Sequence, residues 1–310
     1  MDSGHVPRSV MRTLRTLAVP ALGTVLLAAL TACGGSASPG GDSTSHTTDA
    51  KEGRTYGECE VTGERGSIDL ETVEKDTLTV VGDLPSPGWW NGDTVRRIDN
   101  GYEYCMAANL AYRAGLSRLT VRNVSFDALV AGKTNDFDLA LAEISITDQR
   151  RKVVDFSAPY FASNIGVLVK SGTEVTQDTI TGLRLGVKQG TTGADFVRDH
   201  LHPDKAPKVF AGDVELQAAV QAGQIDAGLT DVAIVLGKAN ESKGRLEVIG
   251  QYDTGESYGA LYPKGSANAS ALDGAIEEMK KDGTLGELAS TYLTKAFGGD
   301  PEAIPLWSAK

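Results

Sequence analysis

Beyond Ile68 the chain alternates short β-branched runs with segments of helical period, and few folds accommodate that order. Runs expected as strands fall at 77–81, 119–124, 137–141, 165–169, 183–187, 209–211, 226–229, 246–249 and 258–262. Helical patterns fall at 102–114, 126–131, 193–201, 213–222, 231–239, 270–282 and 285–296. Gly115, Gly223 and Gly283 stand where three of these helices should end, the place for a residue at positive φ. Strand–helix alternation predicts an α/β protein layered around largely parallel sheets. At roughly 100–200 residues per domain, 310 residues suit two domains or one domain with two lobes. No internal repeat is visible.

The N-terminus reads as an export signal. Arg8, Arg12 and Arg15 precede an apolar stretch at 17–30, which falls short of the about 20 apolar residues a membrane-spanning helix needs. The stretch ends in Leu30-Thr31-Ala32-Cys33, and small residues before a cysteine resemble a bacterial lipobox. On that reading 1–32 is a lipoprotein signal peptide, and Cys33 carries a lipid on the extracytoplasmic face of the cell membrane. The alternative is an ordinary signal peptide with an incidental cysteine. Gly, Ser, Thr, Pro and Asp dominate after Cys33, so 33–57 is expected to be a flexible tether. With Cys33 acylated, Cys59 and Cys105 remain, and in an oxidising compartment they are expected to pair, the alternative being two buried thiols.

Charge excludes one class of partner. The chain carries −11, and loss of 1–32 removes three arginines and one aspartate to leave −13. An unpatterned acidic surface repels phosphate backbones, so no nucleic-acid partner is expected. Four histidines leave little for metal or histidine chemistry, and His5 and His46 are expected outside the fold. His200 and His202, with Asp204 behind them, read as an exposed loop. No nucleophile-elbow, zincin or paired-cysteine zinc pattern is present.

The densest information lies at 125–160. Ser125-Phe126-Asp127-Ala128-Leu129 is followed by Phe137-Asp138-Leu139-Ala140, Ser145-Ile146-Thr147-Asp148-Gln149-Arg150 and Asp155-Phe156-Ser157-Ala158-Pro159-Tyr160. Physically, a buried strand runs into a Ser/Thr/Asp cluster that can cap a short helix with Arg150 in its first turn. Free N–H groups beside a guanidinium suit a carboxylate, although a capped helix with a solvated arginine has the same signature. Gln189-Gly190-Thr191-Thr192-Gly193 likewise follows a strand and opens a helix, but lacks the lysine of a Walker A loop.

In order and content these stretches resemble the family 3 extracellular solute-binding proteins, the amino-acid receptors of ABC importers. Members of that family read much like Gly-Phe-Asp-Val, Phe-Asp-x-Leu, Ser-Ile-Thr-x-x-Arg and Asp-Phe-Ser-x-Pro-Tyr, and here Gly101-Tyr102-Glu103-Tyr104 stands ahead of the stretches quoted. The resemblance covers roughly 77–295 and implies an α/β, two-lobed, periplasmic-binding-protein-like (type II) fold with two crossover strands and a central ligand cleft. Lobe 1 would comprise 58–168 and 263–310, and lobe 2 with the hinge strands 169–262. The crossovers would lie at 167–170 and 258–262.

Residue roles follow from the same resemblance. Arg150 matches the residue that takes a ligand α-carboxylate, with Ser145 beside it and Thr192 donating from the second lobe. Asp231 matches the acid that pairs with the α-ammonium, although it suits a helix N-cap equally well. Asp83, Trp89 and Phe126 fall near positions that line the cleft, but Gly88-Trp89-Trp90 departs from the family pattern, and both tryptophans also suit simple packing. Glu143 stands where the family usually has a small residue. Lys188 matches a lysine of some glutamine-binding relatives, and the two together point to a polar, glutamine- or glutamate-like ligand. The implied protein is a lipid-anchored monomer that needs no cofactor and no metal and serves a membrane permease. An enzyme on the same fold, dehydratase-like with Glu143 as general acid, and a ligand-sensing lipoprotein are the alternatives.

Overall fold

A computed structural model describes residues 44–51 and 54–309. The expected signal segment, 1–32, and Cys33 lie outside the described residues. Among the described residues no helix is long and apolar enough to cross a membrane.

Among the described residues fourteen strands run in chain order: β1 (Ser45–Asp49), β2 (Thr55–Tyr56), β3 (Cys59–Glu60), β4 (Thr77–Gly82), β5 (Arg118–Asn123), β6 (Leu139–Ala140), β7 (Val154–Phe156), β8 (Phe161–Lys170), β9 (Leu185–Lys188), β10 (Lys208–Phe210), β11 (Ala227–Asp231), β12 (Leu246–Tyr258), β13 (Leu261–Pro263) and β14 (Leu306–Trp307). Twelve of them form two six-stranded sheets, ordered β1-β5-β4-β6-β13-β7 and β10-β9-β11-β8-β12-β14, and β2 pairs with β3 in a small hairpin. In the first, β4 runs parallel to β5 and β6; in the second, β9 runs parallel to β10 and β11. Each sheet is the floor of one lobe. Every residue of β4 is buried, as befits a central parallel strand covered on both faces.

The helices relevant to the cleft are α1 (Tyr102–Arg113), α2 (Phe126–Val130), α3 (Thr192–Phe196), α4 (Asp213–Gln221), α5 (Val232–Glu241) and α6 (Ala269–Lys281). All twelve residues of α1 are buried. Burial extends to Arg113 at its C-terminal end, whose guanidinium reaches Glu278 at 2.7 Å and Asp282 at 2.8 Å. Removing either acid would leave a buried charge short of a partner, which explains why so polar a residue sits there. At the other end of α1, a disulfide joins Cys105 to Cys59, with Cα atoms 5.3 Å apart, and staples β3 to the helix.

Three boundaries expected from the sequence need correction. The candidate tether is shorter than 33–57, because β1 pairs antiparallel with β5 from Ser45↔Arg122 to Asp49↔Arg118 and so covers an edge of the first sheet. His46 is therefore part of the fold, not outside it. The crossovers are also displaced. Residues 167–170 pair within the second sheet, against β12 and partly β11. The chain passes between lobes where 161–163 pairs with 256–258, and 246–258 is one long strand with register shifts at Val248/Gly250 and Tyr252/Glu256. Finally, the C-terminus does not stay with the first lobe. β14 runs parallel to β12, and the Trp307 indole lies over Gly250, where a Cβ would meet it at 2.2 Å.

Candidate functional site

The 145–150 segment is shaped by its own side chains. Thr147 Oγ1 accepts from the Arg150 N–H at 3.1 Å, which starts the short turn Arg150–Lys152 and swings the guanidinium inward. Arg150 is 7% exposed. Nη1 donates to the Ser145 carbonyl at 2.6 Å and Nη2 to the Gly190 carbonyl at 2.9 Å, so one side chain touches both lobes. Burial pulls its pKa down, while Asp231, Glu256 and Asp195 oppose that and favour the cation. The Phe126 ring at the start of α2 lies beneath the guanidinium at 5.3 Å and the Lys188 ammonium at 4.7 Å.

Thr192 opens α3 one residue after Thr191, whose hydroxyl accepts from the Ala194 N–H. Gly190 lies just before them at φ +76°, and a Cβ there would meet Asp127 Cα across the cleft at 3.2 Å. Only glycine combines that conformation with so close an approach. Asp231 ends β11 and takes the N-cap position of α5, yet its side chain caps nothing. Instead it accepts from the Tyr258 hydroxyl at 2.6 Å. Burial, then the Glu256 charge, pushes the Asp231 carboxyl up to about 7.

Glu143 stands at φ +47° before Ser145 and is 7% exposed. Its N–H donates to Glu103 Oε1 at 3.0 Å, and its own Oε1 is buried without a hydrogen-bond partner. Glu103 is fully buried, held by the Trp90 Nε1–H at 2.7 Å and by the Tyr160 hydroxyl. Burial pushes Glu103 up to about 7, and burial plus the neighbouring Glu103 raises Glu143 well above the carboxylate range. Lys188, at the end of β9, is clamped between Asp83 of the first lobe and Asp213, the latter at 2.6 Å. Burial alone would lower its pKa, but Asp213 and Asp83 outweigh it and fix the ammonium.

Arg150, Ser145, Asp231, Thr192, Glu143, Phe126 and Lys188 thus surround one cavity of about 10 Å³ between the lobes. A cavity of about 610 Å³ flanks it, with Asp83 and Asp213 on its wall and Ile234 shared by both. The sequence model of the bacterial extracellular solute-binding proteins, family 3, matches residues 97–295. The chain belongs to that family.

Among solute-binding relatives, the L-cystine-binding protein TcyJ of Escherichia coli (strain K12) is 30% identical over 205 residues, 64% of this chain and 75% of that protein. The ABC transporter glutamine-binding protein GlnH of Bacillus subtilis (strain 168) is 32% identical over 164 residues, 52% of this chain and 59% of its own length. In three dimensions, a solute receptor for L-cysteine of Neisseria gonorrhoeae matches 75% of this chain and 98% of its own, at 26% identity and TM-score 0.67. An ancestral arginine-binding protein bound to arginine matches 70% and 98%, at 28% identity and TM-score 0.63. The fold is therefore the two-lobed type II binding-protein fold.

Two of the expected site residues sit elsewhere. Trp89 does not line the small cavity; it is fully buried in the first-lobe core, edge-on to Phe161 at 4.9 Å, Tyr102 at 5.3 Å and Tyr258 at 5.6 Å. Its large ring is worth more inside an aromatic cluster than on a polar cleft wall. Asp83 stands at the flanking cavity and reaches the site only through Lys188. One residue in the site was missed altogether. Glu256 Oε2 accepts from the Ser145 hydroxyl at 2.5 Å and the Thr192 hydroxyl at 2.6 Å. Its sequence signal was slight: Glu256 and Tyr258 are two apart, the spacing of one strand face. The turn-like Asp253-Thr254-Gly255 ahead of them hides the strand.

Proposed function

We propose that this chain is the amino-acid receptor of a bacterial ABC importer, held on the outer face of the cell membrane by a lipid on Cys33 and acting as a monomer. The observation that carries the reading is the placement of opposite charges from different lobes around one closed cleft. Arg150, Ser145 and Thr192 offer a cation and two hydroxyls to an α-carboxylate, and Asp231 offers a carboxylate to an α-ammonium. A zwitterion bound between them ties the lobes together, and the closed form is what a permease would recognise.

The side-chain end of the cleft points to a neutral or cationic polar amino acid. Lys188 is already neutralised by Asp83 and Asp213, so the glutamate half of the sequence expectation loses its support. Glu143, with a partnerless buried oxygen, faces the same cavity and suits a donor such as an amide or guanidinium. Relatives named for binding cystine, glutamine, histidine and arginine keep to that polar range. Calorimetric titration with glutamine, arginine, histidine, cystine and glutamate tests it. Saturable 1:1 binding of at least one of the first four, recovered chemically unchanged, supports a receptor; consumption of the ligand would move the reading to an enzyme.

A further inference from the structure

Ser145 and Thr192 come from different lobes, yet both give their hydroxyl protons to the same oxygen of Glu256. These are the hydroxyls that the proposed function assigns to a ligand carboxylate. Glu256 sits beside the register shift in β12 that separates Tyr252 from Glu256, and such an irregularity re-aims the side chains that follow it. Two residues on, Tyr258, packed in the aromatic core, donates its hydroxyl to Asp231 and holds it. The crossover strand thus supplies its own partners to both ends of the zwitterion site. With Glu256 seated, the remaining space is about 10 Å³, room for one water and not for an amino acid.

We infer that Glu256 is an internal occupant of the carboxylate subsite, latching the lobes through Ser145 and Thr192 until an α-amino acid displaces it, and so sets the affinity threshold for every ligand of the cleft. This rests on the reading of the cleft as an α-amino-acid site. The exchange is favourable because the occupant is half a ligand. Glu256 satisfies two hydroxyls and the field of Arg150 but brings a second negative charge toward Asp231. An amino acid returns a carboxylate to the hydroxyls and adds an ammonium for Asp231. Because seated and ligand-bound forms exclude each other, the latch raises every dissociation constant by one common factor, the inverse of the fraction unlatched. If Glu256 is seated about nine-tenths of the time, that factor is about ten.

The test compares the wild-type protein with Glu256→Gln, which keeps the side-chain shape but removes the charge, and Glu256→Ala, which removes both. Calorimetry with glutamine and arginine gives the affinities, and small-angle scattering without amino acid gives the radius of gyration. The latch predicts that both amino acids bind the variants more tightly, on the order of tenfold and by the same factor. It also predicts that the variants are more open than wild type until ligand is added. Weaker or unchanged binding, or different factors for the two ligands, would make Glu256 an ordinary contact or a structural residue and overturn the inference. If the wild-type protein binds no α-amino acid, the proposed function fails, and scattering still decides the latch: equal dimensions for wild type and both variants would reject it.

Discussion

The two ends of the cleft handle charge in opposite ways. At the proposed main-chain end, two hydroxyls hold a carboxylate that the protein lends from β12, within the field of the Arg150 cation. At the side-chain end, the Lys188 cation is locked between two carboxylates, and the group left over is the acid Glu143. On the proposed reading the first end exchanges one carboxylate for another. The second has no spare cation and one spare acceptor. The difference teaches that net charge near a site says little about what it binds; which charges are already paired says more.

Substitutions at the two ends should separate them by size of effect. Arg150→Ala should weaken amino-acid binding more than about 100-fold in calorimetry while the circular-dichroism spectrum stays native, since one partner of a buried charge-assisted pair is worth roughly 2–5 kcal/mol. Asp231→Asn should cost less, about 10–100-fold, as a hydrogen bond to the ammonium survives without the charge. Asp231 also makes the main-chain end sensitive to pH. Its carboxyl is raised to about 7, so the folded state holds the proton more tightly than the unfolded chain. Its contribution to stability is therefore complete below the ordinary carboxylate range and is lost as pH rises toward 7. A bound ammonium favours the charged form, so affinity should strengthen as pH climbs through 7. Thermal melts of the free protein from pH 4 to 8 should fall less steeply in Asp231→Asn. Glu103, also raised to about 7, keeps part of the slope.

Two smaller effects sharpen the contrast. Gly190→Ala places a methyl against Asp127 at a positive φ, so it should slow or weaken closure, with affinity reduced several-fold for all ligands alike; a left-handed alanine alone costs about 1–2 kcal/mol. Glu143→Gln should act on one ligand class only. Burial and Glu103 keep the free Glu143 carboxyl raised well above the ordinary range, and a bound guanidinium would favour its ionised form, so arginine affinity should fall by about tenfold relative to glutamine when the ionisable group is lost. Equal losses for both amino acids would mean that Glu143 supports the fold through Glu103 and does not read the side chain.

How much of this was legible depended on which signals are local. The strands at 77–82 and 118–123 and the helix at 102–113 announce themselves by period and composition, and their structural limits lie within a residue of the expected ones. Motif order brought Arg150, Ser145, Thr192 and Asp231 to one cavity, since each sits at a strand or helix end that the same pattern defines. Trp89 was misplaced because an aromatic near a cleft looks the same whether it faces the cleft or the core. β1 was hidden by a polar composition that suits an edge strand as well as a tether. Glu256 was hidden because its meaning is wholly non-local. Its two partners lie 111 and 64 residues away, one in each lobe.

The account's central claim is that one cleft binds an α-amino acid by its two main-chain charges. Its most direct test is calorimetric titration of the wild-type protein and Arg150→Ala at pH 7.5 with glutamine and arginine. The account predicts 1:1 saturable binding of at least one of them to the wild type and no measurable heat with the variant. Wild-type affinity retained in Arg150→Ala, or a folded wild-type protein that binds neither these nor any other α-amino acid, would contradict it.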